Sequence, residues 1–187
     1  YNEEGNLRRC VEVVSAKMGE LGVTCEMLIV DDGSQDATGA IADELAATRP
    51  DVRAVHQRCN RGIGAAFVSA LSQAQGEWLI LIPADLALEP GELRHYIDAA
   101  PSADVVVGLR SDRSDYTLLR RLVSWTNIHL IQVLYGMKLR QFQYISMYRM
   151  EVLHGMQIEY SRSAFFLAEV LIKARDSGWR LVEVEIC

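Results

Sequence analysis

A chain of 187 residues fits one domain able to bury a hydrophobic core, and with 50% hydrophobic and 24% charged residues it reads as globular, not disordered. Nineteen basic residues stand against twenty-five acidic ones, a formal net charge of -6. That balance argues against nucleic acid as a partner, because phosphate backbones select a basic surface.

In chain order, residues 3–21 place Leu7, Val11, Val14 and Met18 at three-to-four spacing, the period of a helix. Residues 26–31 form a short apolar run ending in Asp31-Asp32-Gly33-Ser34, which predicts a buried strand entering a turn. A helix over 36–47 puts Ile41 and Leu45 on one face and stops before Pro50. Residues 52–56 are a second strand. Glycines open a helix over 62–75, and residues 78–82 form an apolar strand ending at Pro83-Ala84-Asp85. Pro90 suits the first turn of a short helix over 89–99. A strand over 104–107 runs into Gly108-Leu109-Arg110, a long amphipathic helix spans 116–135, another helix spans 163–177 before Gly178, and a last strand covers 181–186.

Alternating strands and helices predict an α/β fold: an open, mainly parallel sheet with helices on both faces. Ligands of such sheets sit beyond the carboxyl ends of the strands, and Asp31, Asp32, Asp85 and Arg110 all fall at such ends. Cys10, Cys25, Cys59 and Cys187 are scattered without a C-x-x-C pair, so neither a zinc site nor a disulfide framework is expected, and a reducing setting fits. The chain opens at Tyr1 and closes on a strand-like run, so both ends read as cut within a longer protein. The apolar run of 122–139 is interrupted by Ser124, Asn127, His129 and Gln132; it suits core packing or a membrane interface, not a span.

The chemistry-bearing residues form three groups. Adjacent Asp31 and Asp32 repel each other unless a base N–H, a ribose hydroxyl or a cation offsets their charge; Gly33 permits the turn, and Ser34 or Asp36 can cap the next helix. Asn60-Arg61-Gly62-Ile63-Gly64-Ala65-Ala66 lets a helix start lie close to a diphosphate or to the sheet, although it lacks the remaining features of a dinucleotide fingerprint or a P-loop. Asp85, just past a strand, is placed to hold Mg²⁺ or Mn²⁺ together with substrate phosphates. Arg120 and Ser124 lie four apart on one helix face and, with Arg110, could grip a phosphate.

Tyr1-Asn2-Glu3-Glu4, Asp31-Asp32-Gly33-Ser34, Asn60-x-Gly62-x-Gly64-Ala65-Ala66, Asp85 after a strand and Gly108-x-Arg110 occur in that order over nearly the whole chain. The set resembles the inverting family-two glycosyltransferases of GT-A fold, and within them the polyprenyl-phosphate sugar transferases of the dolichol-phosphate mannose synthase kind. The resemblance implies that Tyr1, Asn2, Glu3, Asp31, Asp32 and Gly62 surround the nucleotide sugar, and that Asp85 holds the metal and the diphosphate. It further implies that Arg110, Arg120 and Ser124 meet the acceptor phosphate. Glu169 matches a recurring glutamate that would support the acceptor site. The family's first strand, which precedes the Tyr-Asn-Glu-Glu motif, is not in this sequence.

Two positions depart from the pattern. Pro83 replaces the first aspartate of Asp-x-Asp, which weakens an all-protein metal site. Arg140 stands near the aspartate of an Asp-x-x-x-Gly-Phe-Arg pattern, where it could supply charge to the diphosphate or mark a different acceptor pocket. The expectation is one domain over residues 1–187 that moves a hexose from UDP- or GDP-hexose to a polyprenyl phosphate, with inversion, at the cytoplasmic face of a membrane. A same-fold transferase acting on a sugar hydroxyl and a non-catalytic nucleotide-sugar-binding domain are the rival expectations.

Overall fold

The computed structural model describes residues 1–110, 118–142, 144–163 and 165–186, with the backbone alone for 118–122. The elements are α1 (Leu7–Glu20), β1 (Met27–Asp31), α2 (Thr38–Thr48), β2 (Val52–His56), α3 (Ile63–Leu71), β3 (Trp78–Ile80) and a 3₁₀ turn (Pro90–Glu92) leading into α4 (Leu93–Ala99). They continue with β4 (Val105–Arg110), α5 (Leu118–Tyr135), β5 (Ser146–Arg149), α6 (Met150–Leu153), α7 (Phe166–Asp176) and β6 (Leu181–Ile186). All the expected helices and strands are present, with ends shifted by a few residues.

The sheet forms in two parts. β1 pairs in parallel with β2, from Met27 opposite Val52 to Asp31 opposite His56. The second part has the order β3-β5-β4-β6. β4 and β6 are parallel, and β5 runs antiparallel to both β3 and β4. β3, β4 and β6 therefore point the same way, and the turn carrying Asp85 and the end of β4 at Arg110 share one rim. The antiparallel β5 was not expected from sequence. Its first three residues are all buried, so it shows no period-two alternation that would mark it as a strand.

Helix α1 joins the two parts. Its Leu7 and Val11 pack with Ala42, Leu45 and Val52, whereas Cys10 and Val14 pack with Leu88, Tyr96, Val106 and Met147. The larger core lies on the other side of the β4 strand, where Phe67 of α3 and Phe166, Val170 and Leu171 of α7 cover Val105, Val107 and Tyr148. Each such side chain contributes about 1.5–3 kcal/mol on full burial.

Gly108 shows how packing sets the rim. A Cβ at this position would overlap the Tyr96 hydroxyl and come within 2.7 Å of the Ile145 carbonyl oxygen. The Tyr96 hydroxyl donates to that same carbonyl at 2.9 Å, and burial pushes the phenol far above its ordinary pKa. The glycine of Gly108-x-Arg110 thus serves the approach of α4 to β4, two residues before the strand delivers Arg110. Gly108→Ala is expected to destabilise the protein by about 1–3 kcal/mol in denaturant titrations, the usual cost of overpacking. Combined with Tyr96→Phe, the loss should be less than the sum of the two single losses, because the clashing oxygen is gone.

Candidate nucleotide site at the strand ends

The Tyr1-Asn2-Glu3-Glu4 segment is stitched to the turn after β1 and to the start of α2. Asn2 adopts a left-handed backbone, φ 57. Its N–H donates to Ser34 Oγ at 2.9 Å, and its side-chain carbonyl accepts from the Gln35 N–H at 2.9 Å. Glu3 N–H donates to Thr38 Oγ1 at 2.7 Å, and the Glu4 carboxylate accepts from the Ala37 N–H at 2.9 Å. Asp36 takes the Thr38 N–H at 3.0 Å, so Asp36 and Glu4 together satisfy the α2 start. Tyr1 is left exposed, and Glu3, half-buried, accepts from the Asn6 side-chain amide.

The two adjacent aspartates, both buried, are held apart by different partners. Asp31 accepts from the Ser34 N–H at 3.0 Å and lies 3.2 Å from His56 Nδ1. Burial pushes the Asp31 carboxyl up, but the bonds from Ser34 and His56 outweigh it and hold it below the ordinary carboxylate range. Asp32 accepts from the N–H groups of Arg61 and Gly62, at 2.8 and 2.7 Å. Gly33, at φ 70, has the Cys59 and Asn60 backbone pressed against it, 2.6 and 2.9 Å from any Cβ it might carry. Gly62, at φ 87, opens α3. The two carboxylates thus lock the loop after β2 onto the turn after β1, a use of Asp31 and Asp32 that sequence reasoning did not foresee.

Asp85 sits on a tight turn. Leu86 N–H donates to the Pro83 carbonyl at 3.1 Å, and Leu86 itself is left-handed at φ 56, a strained conformation for a branched side chain. The exposed Asp85 carboxylate accepts from the Ala87 N–H at 3.1 Å. The Pro83 carbonyl also meets Cys10 Sγ of α1 at 4.0 Å. Burial, with the charges of Asp85 and Glu3 nearby, pushes the Cys10 thiol up. Glu3 and Asp85 therefore flank the same first turns of α1. The Ala87 carbonyl accepts from the Tyr144 hydroxyl at 3.1 Å, and Gln141 bonds both the N–H and the carbonyl of Arg110, at 3.3 and 2.8 Å. Gln141 and Tyr144 thereby tie to the two ends of this rim, Gln141 at Arg110 and Tyr144 at the Asp85 turn.

The remaining expected residues are placed less completely. Ser124 lies half-buried on α5, whereas the Arg120 side chain is outside the described residues. Arg140, for which the sequence left open a role at the diphosphate or a different acceptor pocket, pairs with Glu183 and Glu185 of β6, each at 3.1 Å. Among the described residues no group of three histidine, cysteine, aspartate or glutamate side chains could hold a metal. Asp85 supplies one carboxylate, so an ion here would take most of its ligands from phosphates and water, as Mg²⁺ commonly does. Cys10, Cys25 and Cys59 are free thiols.

Residues 1–172 match the family model for glycosyl transferase family 2. The chain belongs to glycosyl transferase family 2. It is 31% identical, over its full length, to an undecaprenyl-phosphate 4-deoxy-4-formamido-L-arabinose transferase of Edwardsiella ictaluri, and spans 57% of that relative. It is 30% identical, again over its full length, to a polyprenol monophosphomannose synthase of Mycolicibacterium smegmatis, and spans 73% of it. The family fold is also that of glucosyl-3-phosphoglycerate synthase from Mycobacterium tuberculosis, crystallised with Mn²⁺, UDP and phosphoglyceric acid (TM-score 0.70, 17% identity, 98% of this chain and 65% of that one). A Pyrobaculum calidifontis mannosyltransferase in complex with GDP-Man and Mn²⁺ matches with TM-score 0.57 and 18% identity over 93% of this chain and 51% of that one. The expected GT-A fold is therefore present.

Within this family-two domain His56 was missed by sequence reasoning, although it ends β2 at the same rim. Its Nε2 lies 2.9 Å from Asp43 and its Nδ1 3.2 Å from Asp31. The bond to Asp43 first, and that to Asp31 next, raise the imidazole above its ordinary pKa. A raised histidine contributes stability that is full below its unfolded value of about 6.5 and fades as pH rises through the folded value. The ring is 41% exposed, so solvent screens the pairs and the contribution stays under about 1 kcal/mol. His56→Gln should therefore lower the melting temperature more at about pH 6 than at about pH 9, and an NMR titration of the wild-type ring should give a midpoint above that of a free imidazole.

Proposed function

We propose that this domain binds a nucleoside diphosphate hexose at the strand-end rim and transfers the sugar, with inversion, to a polyprenyl phosphate. The observation that carries the reading is the convergence on one rim of the Asp31–Asp32 loops, the Asp85 turn and Arg110. The similarity to polyprenyl-phosphate transferases supports the acceptor class. UDP and GDP-Man in the structural neighbours support a nucleotide-sugar donor.

In this reading Tyr1, Asn2, Glu3, Asp31, Asp32 and Gly62 shape the nucleotide side. Asp85, with Mg²⁺ or Mn²⁺, holds the diphosphate, the ion supplying positive charge to the leaving group. The acceptor phosphate oxygen attacks the anomeric carbon from the face opposite the diphosphate, the new C–O bond forms, and the nucleoside diphosphate leaves with the bonding pair. Arg110, with Arg120 and Ser124 of α5, orients the acceptor phosphate. That phosphate is already ionised near neutral pH, so no side chain has to remove a proton.

The donor side is tested with the full protein, radiolabelled UDP- and GDP-hexoses, and short-chain polyprenyl phosphate beside sugar-hydroxyl acceptors. Transfer to the lipid phosphate is expected, with Asp85→Ala reducing it about a hundredfold. Transfer to the hydroxyl acceptors alone would move the protein to the rival acceptor class, a reading favoured by the pairing of Arg140 with Glu183 and Glu185. Nucleotide binding without turnover would make it a binding domain.

A polyprenyl acceptor lies in a membrane, and α5 presents the matching surface. Val123, Leu130, Val133 and Leu134, on one face of the helix, are 54–81% exposed there, a lipid-facing stripe beside the proposed acceptor contacts. No helix among the described residues is long and apolar enough to cross a membrane. The domain would dock on the cytoplasmic face. Val133→Glu with Leu134→Glu should cut co-flotation with lipid vesicles severalfold while leaving nucleotide binding intact; unchanged flotation would remove α5 from the membrane contact.

A further inference from the structure

Glu169 takes no part in the chemistry assigned above, yet it is a carboxylate only 3% exposed in the first turn of α7. Such a group is costly unless fully bonded. Its Oε1 accepts from the Glu159 N–H at 2.8 Å and from Lys173 Nζ at 2.7 Å, and its Oε2 accepts from the Tyr160 N–H at 2.9 Å. Burial pushes the carboxyl up, but Lys173 and the two backbone N–H groups outweigh it and keep it ionised. Lys173 donates in addition to the Gln157 carbonyl at 2.6 Å. The chain over 157–160 is therefore tied to α7 through its main chain.

The next residue carries this restraint to the rim. The Ser161 carbonyl lies against Gly64 so closely that a Cβ at Gly64 would overlap its oxygen and come within 3.0 Å of the Phe166 ring. Gly64 is buried in the first turn of α3, two residues past Gly62. From the opposite side, Asp32 holds the N–H groups of Arg61 and Gly62. The start of α3 is thus clamped between the end of β1 and the turn that Glu169 holds.

We propose that Glu169 is a positioning residue for the donor site: by fixing the 159–161 turn, it sets where the start of α3 sits against Asp32. The inference rests on the donor-site reading given above. Only an ionised carboxylate accepts two backbone N–H groups and a lysine at once. A glutamine keeps one carbonyl oxygen and turns an NH₂ group towards one of those donors.

The test compares the full protein with Glu169→Gln and Gly64→Ala, by amide hydrogen exchange and by steady-state kinetics with the donor varied. Glu169→Gln should speed exchange at residues 61–66 roughly tenfold, the size expected from one lost charge-assisted bond, and leave α4 amides unchanged. Donor KM should rise by a similar factor with kcat unchanged at saturating donor. Gly64→Ala, which pushes on the same contact from the other side, should speed exchange at residues 159 and 160, and the double variant should be little worse than the worse single one. If Glu169→Gln does not fold, Gly64→Ala decides alone. Unchanged exchange at 61–66 in folded Glu169→Gln, at 159–160 in Gly64→Ala, or a fall in kcat without a rise in KM, overturns the proposal. If the wild type binds neither UDP- nor GDP-hexose, the functional reading fails while the exchange data still judge the clamp.

Discussion

Two like charges on consecutive residues, both buried at the end of β1, are the constraint around which the rim is built. Buried carboxylates are costly there unless donors surround them. The chain supplies these donors itself, from Ser34, His56, Arg61 and Gly62. Meeting that demand draws the loop after β2 across Gly33, fixes the start of α3 and leaves the turn after β1 rigid enough for Asn2 and Glu4 to dock on it. In the proposed reading, a nucleotide arriving at this rim would meet groups already oriented, with little ordering left to be done on binding.

The other half of the rim is organised by packing. The Tyr96 hydroxyl occupies the space a side chain at Gly108 would need, while Tyr144 bonds Ala87 and Gln141 bonds Arg110. Asp85 is offered outward on a strained turn. In the proposed reading, the polar cradle would serve the nucleotide, and the single charged groups beside the exposed apolar face of α5 would serve the acceptor. The identity of the acceptor depends on the whole protein, since the chain spans 57% of the arabinose transferase it resembles.

Most of the fold was legible because its elements carry their own periods: Leu7, Val11 and Val14 mark one helix face, and the apolar runs before Asp31 and Pro83 mark strands. β5 was not legible, since a strand of four residues buried on both faces has no alternation to read. The candidate site residues stand out in the sequence by their place at strand ends. Their partners were hidden because the donors are remote: Arg61 is 29 residues from Asp32, and Gln35 is 33 from Asn2. The partners of Arg140 were hidden for the same reason, lying 43 and 45 residues away on β6. Local sequence shows which groups are charged, while long-range packing decides which of them a ligand can still reach.

The central claim, that the carboxylate-held loops and the Asp85 turn form one nucleotide site, is tested most directly by following backbone amide resonances of the full protein during titration with UDP and GDP in the presence of Mg²⁺. The account predicts shifts concentrated at residues 1–4, 31–35, 60–64 and 83–87, with the resonances of α4 and the 153–157 segment still. Shifts confined to other surfaces, or a spectrum that neither nucleotide moves, would contradict it.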